Sequence, residues 1–162
     1  MKVDIAWKPL NWHPLTWEDL HEGWGREWEV PITYPLIAWY ADMSQDAHEW
    51  YTQRGSPFGP PVAPPLLMSR LASQLTDSLG RMMGFLNTRN RTETLAPAVV
   101  GTVARFKGRL TGKFERRGRR YISMVVDVYD AETGAHLLHE EKEYAVPPRE
   151  PAHGSTGSPR TG

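Results

Sequence analysis

The sequence predicts an α+β domain in which an antiparallel sheet wraps around one long central helix, and three observations predict it. In residues 102–115, TVARFKGRLTGKFE, the apolar Ala104, Phe106, Leu110 and Phe114 fall on even positions and Arg105, Lys107, Arg109 and Lys113 on odd ones. That period of two belongs to a half-buried strand. Residues 121–130, YISMVVDVYD, repeat the pattern with Ile122, Met124, Val126 and Val128, and a third run, AHLLHEEKEYAV, follows from Ala135. Upstream, Leu66 to Leu86 (LLMSRLASQLTDSLGRMMGFL) is apolar around most of a helical circumference, as expected of a helix buried on nearly every side.

The remaining elements follow in chain order. Thr16-Trp17-Glu18-Asp19 has the composition of a helix start, Glu27–Val30 of a short strand, and Thr33–Asp42 of a helix bearing Leu36, Ile37 and Trp39, with Pro31 and Pro35 bracketing its beginning. GPPVAPP leads into the long helix, where Pro64 and Pro65 sit at or before the first turn and forfeit no needed hydrogen bond. The methionines of that helix fill core space rather than contact a cofactor. A short strand is expected near Arg91–Leu95, before Pro97; hairpin turns are expected at Arg116–Arg119 and Asp130–Gly134. The stretch from Pro147 is Pro, Gly, Ser and Thr with almost nothing to bury. It predicts one domain over 1–146 and a disordered tail over 147–162.

Composition narrows the function. With 19 basic and 19 acidic residues among 162, no net field draws the protein to nucleic acid or an anionic membrane. No cysteine is present, which removes thiol nucleophiles, thiolate metal sites and disulfides and fits a reducing compartment. Neither a signal-like apolar run nor a stretch of membrane-spanning length is found, so a soluble cytoplasmic protein is expected. Seven tryptophans crowd into the first third; they anchor loops to a core or line a pocket. The six histidines have no metal-ligand spacing, and a regular strand would put His136 and His139 on opposite faces, so no metal site and no cofactor are expected. The Lys/Arg-rich span from Arg105 to Arg120 reads first as a solvated strand face and second as a groove for coenzyme A phosphates.

Four pieces of the chain resemble one family. LHEGWGREWEVPITYPLIAWYADMSQD, GPPVAPPLL, PAVVGT and YDAETGAHLLHEEKEY, spread over Leu20–Val146, are similar to segments of the MaoC-like hydratases and dehydratases, and specifically of their fungal fatty-acid-synthase-like dehydratase branch. The resemblance implies a single hot-dog fold, an acyl-CoA or acyl-carrier thioester substrate, and a homodimer or a heterodimer with another hot-dog subunit. In that family an Asp-x-Asn-Pro-x-His loop supplies an acid–base dyad. Asp46 matches the family Asp, whereas Tyr51 stands at the His position, His48 at the Asn position and Glu49 at the Pro position.

Hydration of a 2-enoyl thioester needs a base for water, an acid for the α-carbon and donors for the enolate oxygen. The resemblance assigns Asp46 as base, with His48 or Tyr51 assisting. Histidine titrates near neutrality and suits the acid role; residues two apart on a helix diverge by about 200°, so His48 joins Asp46 only if the loop is extended. Asp46 and Glu49 also have the spacing of a capping box, and that reading stands beside the catalytic one. Donors for the oxyanion would come from the start of the long helix, beside Pro65, at Leu66 or Leu67, since proline has no N–H. Two other functions suit the same fold: a non-catalytic subunit completing a partner's site, and an acyl thioesterase.

Overall fold

A computed structural model describes residues 15–148 other than 53, 80, 81 and 83. Five antiparallel strands, β1 (Gly25–Pro31), β2 (Leu86–Thr94), β3 (Val103–Arg116), β4 (Arg119–Asp130) and β5 (His136–Ala145), form one sheet in the order β1-β3-β4-β5-β2. The helices are α1 (Tyr34–Ser44), α2 (Pro65–Ala72) and α3 (Gln74–Leu79), with a single 3₁₀ turn at Glu49–Tyr51. The expected tail lies outside the described residues beyond Pro148, as do Trp7 and Trp12.

Periodicity sets the inner face of the sheet. Ala104, Phe106 and Leu110 of β3 and Ile122, Met124, Val126 and Val128 of β4 are all buried, while their sequence neighbours face outward. Phe114, expected with them, is not: β3 shifts register between Leu110 and Gly112, and Phe114 pairs and stacks with Tyr121 on the outer face. The β3–β4 hairpin closes on Arg117 and Gly118, both at positive φ (52° and 72°), the backbone that a two-residue turn needs to match strand twist. In the β4–β5 loop the Asp130 carboxylate accepts the Glu132 and Thr133 N–H groups at 2.8 and 3.2 Å, which holds its pKa below the usual carboxylate value. Outward cations of the sheet meet acids across strands: Arg105 with Glu29, Lys107 with Glu27, and Arg116 with Glu143. Trp28 stacks on Phe106 at 5.1 Å, and Trp17 and Trp24 also pack against the core.

Three further expectations are corrected. The span Leu66–Leu86 is not one long central helix: α2 ends at Ala72, α3 ends at Leu79, and Leu86 already opens β2. At the break, Ser73 Oγ receives the Lys142 ammonium at 2.8 Å and the Ser73 carbonyl accepts the Thr76 hydroxyl at 2.6 Å. Thr16 begins a turn, not a helix, its N–H and hydroxyl both held by Asp19 at 2.8 and 2.7 Å. Third, His136 and His139 share a face. Tyr129 pairs with His136 but Val128 with Leu138, so Leu137 is an extra residue, a β-bulge that resets the alternation. Leu137 and Leu138 both turn inward, and both histidines turn outward.

Below the apolar core the sheet carries charge. Glu140, fully buried, accepts the Ser69 hydroxyl and, at 3.1 Å, that of Thr92; its other oxygen is met by the Lys142 ammonium 3.0 Å away. Ser69 and Ser73 thus tie α2 to β5 through an ion pair. Removing one partner of such a pair strands the other charge, so Glu140→Ala is expected to lose about 3–5 kcal/mol in chemical denaturation, and replacing both residues by apolar ones considerably less. Seating of α3 depends on Gly108, where an added Cβ would lie 2.6 Å from Leu75 Cδ2. Gly108→Ala is expected to cost about 1–3 kcal/mol by overpacking, and Leu75→Ala in the same chain should recover part of the loss in the same assay.

Candidate active site

The acid-bearing loop begins where α1 ends. Thr33 caps the helix through the Leu36 N–H, and Gln45 closes it in the left-handed conformation (φ 55°) while the Asp46 N–H returns to the Ala41 carbonyl at 2.9 Å. This is a Schellman-type stop, and it throws the chain out of the helix at Asp46. From there to His48 the chain belongs to no helix or strand, and the capping falls to a different residue than the spacing suggests. His48, not Asp46, is the N-cap of the 3₁₀ turn, its Nδ1 accepting the Trp50 N–H at 3.2 Å, while Asp46 Oδ1 accepts the His48 N–H at 3.3 Å. A ring nitrogen that accepts carries no hydrogen, so Nε2 holds the proton of the neutral imidazole.

The three candidate residues differ in surroundings. Asp46 and His48 are exposed, and Tyr51 is half-buried. The His48 ring lies 5.2 Å from that of Trp50 and 5.4 Å from that of Tyr51. Burial, and after it the negative charge of Asp46, push the Tyr51 phenol above its ordinary pKa. Tyr51 therefore stays a hydrogen-bond donor throughout the neutral range.

Beside this loop is an apolar cleft of about 310 Å³. Trp50, Tyr51 and Phe58 line one part, Pro65 and Met68 of α2 another, and Leu137 and Leu138 of the β5 bulge face them. Backbone bonds hold the parts together: the Val62 N–H donates to the Trp50 carbonyl at 2.9 Å, and Ala63 to Ala98 at 2.7 Å. Of the residues expected at the helix start, Pro65 lines the cleft, the Leu66 side chain is 68% exposed, and Leu67 is sealed in the core. The Leu67 N–H is taken by the Pro64 carbonyl at 2.9 Å, leaving that of Leu66 as the donor of the first turn without an acceptor among the described residues.

Known structures share this architecture. The unliganded R-hydratase PhaJ1 of Pseudomonas aeruginosa superposes with a TM-score of 0.69 at 16% identity, over 81% of this chain and 84% of that one. A MaoC-like dehydratase of Rhodospirillum rubrum gives 0.64 at 14%, over 80% and 94%. This chain has the hot-dog fold. A C-terminally truncated HadBC complex, the 3R-hydroxyacyl-ACP dehydratase of Mycobacterium tuberculosis, gives 0.61 at 14% identity, over 75% and 95%. No family model and no curated protein sequence matches the chain.

Sequence reasoning missed both the bulge and the buried Glu140–Lys142 pair. The doubled Leu137-Leu138 inside an alternating run was the available signal for the first; the second had none, because charged residues on alternate positions read as outward. For Tyr51, a difference titration of tyrosinate absorbance between the protein and Tyr51→Phe should isolate one phenol ionising above pH 10.0. Asp46→Asn should move that ionisation down, and a transition at or below the ordinary value would contradict the environment described.

Proposed function

We propose that this chain acts on acyl thioesters, adding water to a 2-enoyl thioester or removing it from a 3-hydroxyacyl one without a cofactor. The observation that carries the reading is the apolar cleft bounded both by Tyr51 of the acid-bearing loop and by Pro65 at the start of α2. It occurs in a fold shared with R-hydratases and a 3R-hydroxyacyl-ACP dehydratase. Within the MaoC-like family, the Pro64-Pro65 pair at the start of α2 supports the fungal fatty-acid-synthase-like dehydratase branch. The substrate is acyl-CoA or an acyl carrier in the cytoplasm, with the acyl chain in the cleft.

In this reading Asp46 takes a proton from water as its oxygen bonds to C3, and the same proton equivalent returns to C2, so one water is added overall. The Leu66 N–H, at the positive end of the α2 dipole, serves the developing enolate oxygen. Tyr51 donates to the bound water or thioester without becoming charged. The assembly proposed is a dimer, of two copies or with another hot-dog subunit, which would cover the loop on which Asp46 and His48 are exposed.

One observation favours a second reading, in which the chain shapes a partner's acyl site. Tyr51 stands where the family has histidine, and a phenol whose pKa is raised gives up its proton with difficulty. Crotonyl-CoA hydration, followed by loss of the enoyl-thioester absorbance, separates the two. Catalysis predicts turnover by the protein alone, reduced about 10²–10⁴-fold by Asp46→Asn and less by Tyr51→Phe. Turnover that needs an added hot-dog partner and survives Asp46→Asn supports the second reading, and release of free coenzyme A supports a thioesterase instead.

A further inference from the structure

We propose that Asp127, His136 and His139 form a binding site for a divalent first-row transition cation, zinc foremost, on the outer face of the sheet. The Leu137 bulge creates it. Without the extra residue the two histidines would project from opposite faces; with it, both imidazoles stand beside the carboxylate that β4 supplies in register with His139. His139 Nδ1 lies 2.7 Å and His136 Nε2 3.2 Å from Asp127 Oδ1, and all three ligand atoms lie within 4.8 Å of one another. A tetrahedral cation with bonds of about 2.0–2.1 Å holds its ligand atoms roughly 3.3 Å apart. Small side-chain rotations reach that spacing from the present one.

The chemistry of the donors selects the ion. Two imidazoles and one carboxylate suit zinc and its neighbours rather than magnesium or calcium, which take oxygen donors. Three protein ligands leave a coordination position open, and all three side chains are partly open to solvent, with exposures of 35% for His136, 30% for His139 and 18% for Asp127.

Surrounding groups act in the same direction. His139 turns its other nitrogen, Nε2, toward Glu141 at 3.6 Å, the carboxylate–histidine arrangement that orients metal-binding imidazoles. Tyr129 stacks on His136 at 4.6 Å and fixes its plane. Along the same row of the sheet, Glu93 pairs with His139, and Lys107, the cation next to Asp127, is engaged by Glu27 at 3.4 Å. His136 Nε2 meets the Leu138 carbonyl at 3.0 Å, and a bound cation would take the place of the hydrogen shared there. The inner side of this bulge is Leu137 and Leu138, which wall the apolar cleft, so a cation here would brace that wall from behind.

The test is calorimetric titration of zinc chloride into full-length protein first stripped with a chelator. One zinc per chain is expected. His136→Gln and His139→Gln should each weaken it at least tenfold, Glu141→Gln by about tenfold, and His21→Gln not at all. Zinc should raise the melting temperature of the wild type but not of the His136→Gln/His139→Gln double variant, whose circular dichroism without metal checks that it is folded. Cobalt(II) should give visible ligand-field absorption that the double variant loses. Absence of zinc binding at millimolar concentration, or binding that survives the double substitution, would overturn the proposal.

Discussion

A carboxylate and an ammonium buried between helix and sheet fix how this molecule is assembled. Glu140 and Lys142 are two residues apart on β5, and the hydroxyls they meet, Ser69 and Ser73, are four apart on α2 and its cap. Two strand residues advance the chain by about 6.8 Å and four helical residues by about 6 Å, so the two pairs face each other in one register only. Apolar packing alone tolerates sliding by a turn; this ladder does not. Both Pro65 and Met68 ride on α2, so the cleft inherits its shape from the same register.

Much of the fold was legible because strand burial writes itself into period-two sequence. β4 alternates as read and β3 does so as far as Leu110, after which a register shift turns Phe114 outward beside Tyr121, and the turns at Gly118 and Gly134 sit where a positive φ is required. The helix was misjudged in length because apolar residues continue on both sides of Ser73, whose side chain meets Lys142, a partner 69 residues away that local sequence does not announce. His136 and His139 were misplaced because strict alternation was carried through a bulge, and one inserted residue reverses every orientation beyond it.

The loop that carries the candidate residues was legible in the sequence, and its arrangement was not. Asp46, His48 and Tyr51 are close in sequence, but which of them caps, which is exposed and which is half-buried depends on the left-handed Gln45 and on the walls contributed by Phe58, Met68 and Leu138. None of those long-range neighbours announces itself locally. Under the proposed function the departure at Tyr51 matters most chemically: a phenol lines the cleft where the resembled family has an imidazole.

β2 illustrates the opposite economy. All nine of its residues are exposed, it stands at the edge of the sheet, and its backbone ladder to β5 is what aligns it. Apart from Thr92, whose hydroxyl reaches the buried Glu140, its sequence LNTRNRTET has no inward-facing set to preserve, so substitutions elsewhere that keep an extended, charged or polar strand leave its seat intact. The neighbouring β5 carries the bulge, the buried ion pair and one boundary of the cleft on ten residues. Two adjacent strands of one sheet therefore differ sharply in how freely their side chains can drift over evolutionary time.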